Sequence, residues 1–151
     1  LEEDMENVIR IGCGAALIKD DKILLLQRRR DPEAGHWGMP GGKVEWMEPI
    51  EHAVRREILE EIGVTLEDIS LVGVVDQIDQ SDQEHWIAPV YTPSAFTGTP
   101  RLLEPEKHSD IGWFDLRDLP HPLTLTTMGI LPTLLRVNSQ QHHITAKSTH
   151  D

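Results

Sequence analysis

The segment "PIEHAVRREILEEIG", Pro49 to Gly63, constrains the fold more than any other stretch of the chain. Proline is tolerated in the first turn of a helix and glycine commonly ends one, so the spacing predicts a helix over residues 49–62. At about 100° per residue, Ile50, Ala53 and Val54 fall within roughly 60° of Glu57, which marks an apolar face. In the second half the same sector holds Glu57, Glu60 and Glu61, while Ile58, Leu59 and Ile62 point elsewhere. Like charges at i, i+3 and i+4 destabilise a helix unless something neutralises them. Most acidic runs on helices are solvated faces, but this one continues an inward-facing stripe. Mg²⁺ or Mn²⁺, which prefer oxygen ligands and bridge carboxylates to phosphates, are suitable neutralisers.

Charge supports this reading. The 151 residues carry 26 acids against 14 Lys and Arg, a formal charge of -12. Such a chain is poorly suited to gripping duplex nucleic acid, which needs cations against its phosphates. A small phosphorylated ligand can still bind if divalent ions lie between the two sets of negative charge. Cys13, the one cysteine, sits in an apolar run and reads as a buried thiol, so no cysteine metal site or internal disulfide is expected. No stretch approaches the roughly 20 apolar residues of a membrane span, and the acidic start lacks a signal-peptide pattern, so a cytoplasmic protein is the expectation.

Along the chain, "VIRIGCGAALI" (8–18) and "KILLLQR" (22–28) read as strands joined by a tight turn at Asp20–Asp21. The Pro- and Gly-rich 29–42 stretch reads as loop with a short strand near Trp37. Residues 69–78, 85–96 and 111–116 read as further strands, the second an edge or irregular strand because of its prolines. A helix over 123–137, broken near Pro132, precedes a frayed polar tail. The organisation is an N-terminal extension (1–7), one α/β domain with a mixed β-sheet (8–137), and a polar tail (138–151).

"GKVEWMEPIEHAVRREILEEIGV", Gly42 to Val64, resembles the Nudix box: glycine, five residues, Glu48, seven residues, Arg56, Glu57, an aliphatic, any residue, Glu60, Glu61, any residue, Gly63, an aliphatic. With "LLLQRR" before it and "EPEKHSDIGWF" after it, the resemblance covers roughly residues 8–120. It implies an α/β/α sandwich and Mg²⁺- or Mn²⁺-dependent hydrolysis of a nucleoside diphosphate linked to a further group. Glu57, Glu60 and Glu61 become metal ligands, with the Gly41 carbonyl as a fourth. Arg56 would orient a glutamate, and Glu48 would cap the helix or support the site. Gly41, Gly42 and Gly63 would serve the turns at the helix ends. The general base is left open between Glu61, Glu104 and Glu106.

Arg28 matches a substrate-phosphate contact in triphosphate-cleaving relatives, and Trp37, near the phosphate loop, is set to stack on a base or pack in the core, as is Trp86. Trp113 reads as core. The eight histidines show no zinc spacing, and none is assigned a ligand role. Met47 departs from the family, which usually has glycine before this glutamate. Outside the box, Asp79, Gln80 and Ser81 stand where ADP-ribose hydrolases carry a proline and diadenosine-polyphosphate hydrolases a tyrosine. The later segment resembles that of MutT-type enzymes. A (deoxy)nucleoside triphosphate is therefore the expected substrate, with ADP-ribose or a nucleotide sugar as the alternative and a non-catalytic nucleotide-binding module as the alternative of another class. Dimers are frequent in the family, although nothing in the sequence itself shows one.

Overall fold

The computed structural model describes residues 7–148. In chain order the elements are β1 (Ile9–Ala15), β2 (Ile18–Lys19), β3 (Lys22–Arg28), β4 (Trp37–Gly38), β5 (Gly41–Lys43), α1 (Ile50–Ile62), β6 (Thr65–Asp79), β7 (Glu84–Thr97), β8 (His108–Asp115) and α2 (Leu125–Ser148). Two four-stranded sheets result. One has the order β5-β1-β7-β6, with β1 and β7 parallel and its other pairs antiparallel; in the other, β3 pairs with β2, β4 and β8. The fold is a mixed-sheet α/β fold with helices packed on the sheets, as the sequence led us to expect.

The run "ILLL" in β3 shows why helices lie on both faces. Leu24 and Leu26 belong to a core shared with Ala53, Val54, Ile58 and Ile62 of α1, whereas Ile23 and Leu25 belong to a second core with Ile130 and Leu134 of α2. Successive strand side chains point to opposite faces, so a strand apolar at every position must be covered on both. Asp20 and Asp21 both adopt positive φ, 53° and 62°, as a tight hairpin turn between twisted strands requires.

Four expectations need correction. The first concerns α1, whose buried face centres on Val54, Ile58 and Ile62 rather than on Glu57. Glu61 lies within that buried sector and Glu57 at its margin, while Glu60 is on the exposed side. Glycine does end the helix: Gly63 takes φ 73° and returns its N–H to the Leu59 carbonyl.

Second, β7 is a central strand rather than an edge, although its course is irregular as its prolines suggested. Its pairing with β1 lapses between Ile11↔Ile87 and Gly14↔Val90, where Pro89 has no N–H to give, and Pro93 lies beyond the last β1 pair at Tyr91. Third, β6 starts at Thr65, earlier than expected, because Thr65–Glu67 pair with the end of β7 as a two-stranded ribbon.

Fourth, α2 runs unbroken through Pro132 and on to Ser148. An interior proline costs about 3 kcal/mol. Burial of Ile130 and Leu134, one on either side of it, returns roughly 1.5–3 kcal/mol each and holds both halves of the helix down. Polar composition downstream does not oppose helix once the preceding turns are fixed.

Candidate functional site

The site is built around β5, the start and end of α1, and the beginning of β8. Arg56 organises its outer side. Its Nε and one terminal nitrogen donate to the two oxygens of Glu48 at 2.7 and 2.9 Å. The other terminal nitrogen reaches Glu57 Oε1 at 2.9 Å and Glu60 Oε2 at 3.4 Å. Glu48 also accepts the Glu45 N–H and a 2.7 Å contact from His52. The Arg56 bond holds its carboxyl well down, to about 2. Glu48 therefore anchors Arg56 and does not cap α1, whose N-cap is Pro49 without a side-chain bond.

Gly41 and Gly42 permit close approach of chains rather than a turn at the helix end. A Cβ at Gly41 would fall 2.1 Å from the Cys13 carbonyl oxygen, and one at Gly42 would fall 2.3 Å from the Glu57 carboxylate. Backbone at β5 thus lies where any side chain would displace β1 or Glu57. Met47 takes φ 64°, the left-handed conformation that glycine adopts freely.

Glu61 is the most buried acid of α1. Its Oε1 accepts the Gly41 N–H at 2.8 Å, and its Oε2 lies 3.3 Å from His108 Nε2. Burial pushes its carboxyl up to about 8, with the nearby Glu57 and Glu104 charges acting in the same direction and the Gly41 N–H opposing. Burial raises Glu57 as well. Burial, together with the Arg28 charge, depresses His108, which favours the neutral imidazole.

A cleft of about 370 Å³ opens beside these groups. Arg28, Gly41, Gly42, Glu61 and His108 line it, as do Gln77, Glu84, Trp86 and Thr126. Arg28 donates Nε to the Pro32 carbonyl at 2.8 Å. Of the acids before β8, Glu106 is exposed. Glu104 bonds Lys107 Nζ through Oε2 at 3.0 Å and has a buried, unpartnered Oε1.

Trp37 is not among the residues lining the cleft. It packs edge-on against Phe114, 4.9 Å between centroids, in the core under α2. Trp86 is the ring in the cleft, with Arg10 5.8 Å over it. His108, assigned no role from the sequence, proves to be a direct neighbour of Glu61, and no spacing pattern signalled it.

The donor set suits a hard divalent cation. Buried Glu61 and partly buried Glu57 sit against a glycine cradle, and Glu104 offers an orphaned oxygen. Among the described residues no three His, Cys, Asp or Glu side chains form a ready-made cage. Glu57 and Glu60 are turned to Arg56, and Glu61 is turned to Gly41.

The NUDIX domain model matches residues 8–134. The chain belongs to the Nudix family. A MutT Nudix hydrolase from Burkholderia pseudomallei has a crystal structure with TM-score 0.82 and 56% identity, covering 83% of this chain and 98% of that one. Among curated Nudix relatives, an ADP-ribose pyrophosphatase of Methanocaldococcus jannaschii is 38% identical over 110 residues, 73% of this chain and 64% of the relative. An oxidized purine nucleoside triphosphate hydrolase of Danio rerio is 29% identical over 104 residues, 69% of this chain and 65% of the relative. The chain thus spans just under two thirds of the length of these two curated relatives.

Proposed function

We propose that this Nudix protein is a metal-dependent pyrophosphohydrolase that cleaves a diphosphate bond in a nucleoside diphosphate derivative. The observation that carries the reading is Glu61, buried against the Gly41 N–H in the wall of a cleft that also holds Arg28, with the partly buried Glu57 packed against Gly42 beside it. Burial raises both carboxyls, so a cation between them favours their ionised forms. Glu57, Glu60 and Glu61, with the Gly41 carbonyl, are the residues to hold Mg²⁺ or Mn²⁺. The ion, when bound, neutralises phosphate oxygens and acidifies water.

The chain's own groups do the rest. Arg56, pinned by Glu48, holds Glu57 and Glu60 in orientation. Arg28 meets the phosphates. The Gly41 N–H orients Glu61 and suits it to ligation, so the proton of the attacking water goes to Glu104, whose Oε1 is buried and unpartnered. Exposed Glu106 is the weaker candidate for that role. Trp86 takes the place first considered for Trp37 as the ring against which a base stacks.

The favoured substrate is a (deoxy)nucleoside triphosphate, released as monophosphate and pyrophosphate. Arg28 in the cleft supports it, as do the MutT and purine nucleoside triphosphate hydrolase relatives. ADP-ribose is the second reading, favoured by the Methanocaldococcus relative, whereas Asp79, Gln80 and Ser81 at the β6–β7 turn supply neither the proline nor the tyrosine marker. Glu57→Gln, Glu61→Gln and Glu104→Gln are expected to lower Mg²⁺-dependent turnover by at least about 100-fold each, with folded circular dichroism spectra. Near-normal turnover in Glu61→Gln would refute the ligand assignment. Nucleotide binding without turnover by the wild type would favour a non-catalytic module.

A further inference from the structure

His108 opens β8 opposite Arg28, and its side chain is about nine-tenths buried on the wall of the cleft. Buried histidines that serve only structure satisfy both ring nitrogens, and His108 Nδ1 is buried without a hydrogen-bond partner. An orphaned ring nitrogen costs free energy, so an apolar residue would serve the strand better. Nε2, by contrast, lies 3.3 Å from Glu61 Oε2. The other oxygen of Glu61 accepts the Gly41 N–H at 2.8 Å. The carboxylate thereby lies between a backbone donor on β5, in one sheet, and the His108 ring on β8, in the other.

We propose that His108 is a positioning residue that donates Nε2–H to Glu61 and fixes the plane in which this carboxylate receives the metal. The inference rests on the proposed ligand role of Glu61 and adds a partner to it. One N–H on each oxygen leaves each with a further acceptor position and restricts rotation of the carboxylate between them. Partners of this kind hold ligand geometry, and their loss typically weakens metal affinity about 10–100-fold.

The test is Mn²⁺ affinity, read from the electron paramagnetic resonance signal of free Mn²⁺ without substrate, for the wild type, His108→Gln, His108→Asn and Glu57→Gln. Glutamine places an amide N–H near the position of Nε2. Asparagine places it near Nδ1, too short to reach Glu61. Because both are polar and similar in size, thermal melting will show comparable folding. His108→Gln is expected to bind Mn²⁺ much as the wild type does, and His108→Asn about 10-fold more weakly. The kcat of His108→Asn should fall at saturating Mn²⁺, with KM for the nucleotide little changed. Equal affinity in His108→Asn and the wild type overturns the proposal, as does equal weakening by both substitutions, which would assign the effect to ring packing. If Glu57→Gln loses Mn²⁺ while His108→Asn keeps it, only the positioning role falls. If the wild type itself binds no Mn²⁺, the metal reading falls as well.

Discussion

Replacing Glu61 by glutamine should stabilise the metal-free protein while removing its activity, and the gain should grow with pH. In the fold the Glu61 carboxyl is pushed up to about 8 from its ordinary 4.5, mainly by burial. An acid whose native pKa is raised binds its proton more tightly folded than unfolded. Its stability contribution is therefore fully present below about pH 4.5 and is lost as pH rises through about 8. At 1.36 kcal/mol per unit, the raised pKa costs the fold, relative to an unfolded chain whose carboxyl ionises near 4.5, about 1 kcal/mol at pH 5.5 and on the order of 4 kcal/mol at pH 8. Glutamine keeps the shape and the acceptor for the Gly41 N–H and never ionises. The stability gap between Glu61→Gln and the wild type should thus widen by about 3 kcal/mol between pH 5.5 and 8. In a chain of 151 residues that is a difference in Tm of about 6–12 °C.

The assay is urea or thermal unfolding in EDTA at both pH values, repeated with excess Mg²⁺. Added Mg²⁺ should raise the wild-type midpoint at pH 8 and leave Glu61→Gln nearly unmoved. A gap that does not widen with pH would show that Glu61 is not the buried ionisable group described here.

Further outcomes follow from the same geometry. Gly42→Ala brings a Cβ to 2.3 Å from the Glu57 carboxylate, so it should displace Glu57 and lower kcat by about 100-fold, with a folded protein by circular dichroism. Gly41→Ala meets the backbone oxygen of Cys13 at 2.1 Å, which cannot swing aside, and should lower Tm more than Gly42→Ala does. Arg56→Lys loses the two-pronged grip on Glu48 together with the Glu57 bond, and kcat should fall about 10–100-fold, checked by steady-state kinetics. Met47→Gly relieves a positive φ at an exposed side chain and should stabilise by roughly 0.5–1 kcal/mol after the unfolded-state entropy of glycine is offset, measured by urea unfolding.

The helix was legible in the sequence because Pro49 and Gly63 bracket it, whereas its acids do not form the single inward stripe expected, since Glu60 is exposed and pairs with Arg56. β3 was legible because four consecutive apolar residues between turn signals leave few alternatives. The exact buried face of α1 was not, since Ile58 and Ile62 read as pointing away until two sheets are known to crowd the helix from its far side. Trp37 and Trp86 could not be told apart, because which ring faces the cleft depends on the pairing of Trp86 with Arg10 and Gln77, set by sheet register rather than by local sequence. His108 was invisible for a similar reason: its partner is 47 positions away on a different element, and a lone histidine has no period. Pro132 misled because local helix preference was weighed without the burial of Ile130 and Leu134 on either side of it.

The central claim is that the carboxylates of α1 and a divalent ion hydrolyse a diphosphate bond within a nucleotide. Phosphorus NMR of the products, with nucleoside triphosphates, ADP-ribose and nucleotide sugars offered in turn with Mg²⁺, Mn²⁺ or EDTA, tests it most directly. Pyrophosphate and a nucleoside monophosphate should appear from a triphosphate with either metal and vanish in EDTA. Release of phosphate species unaffected by EDTA, or intact substrates throughout the panel with both metals, would contradict the account.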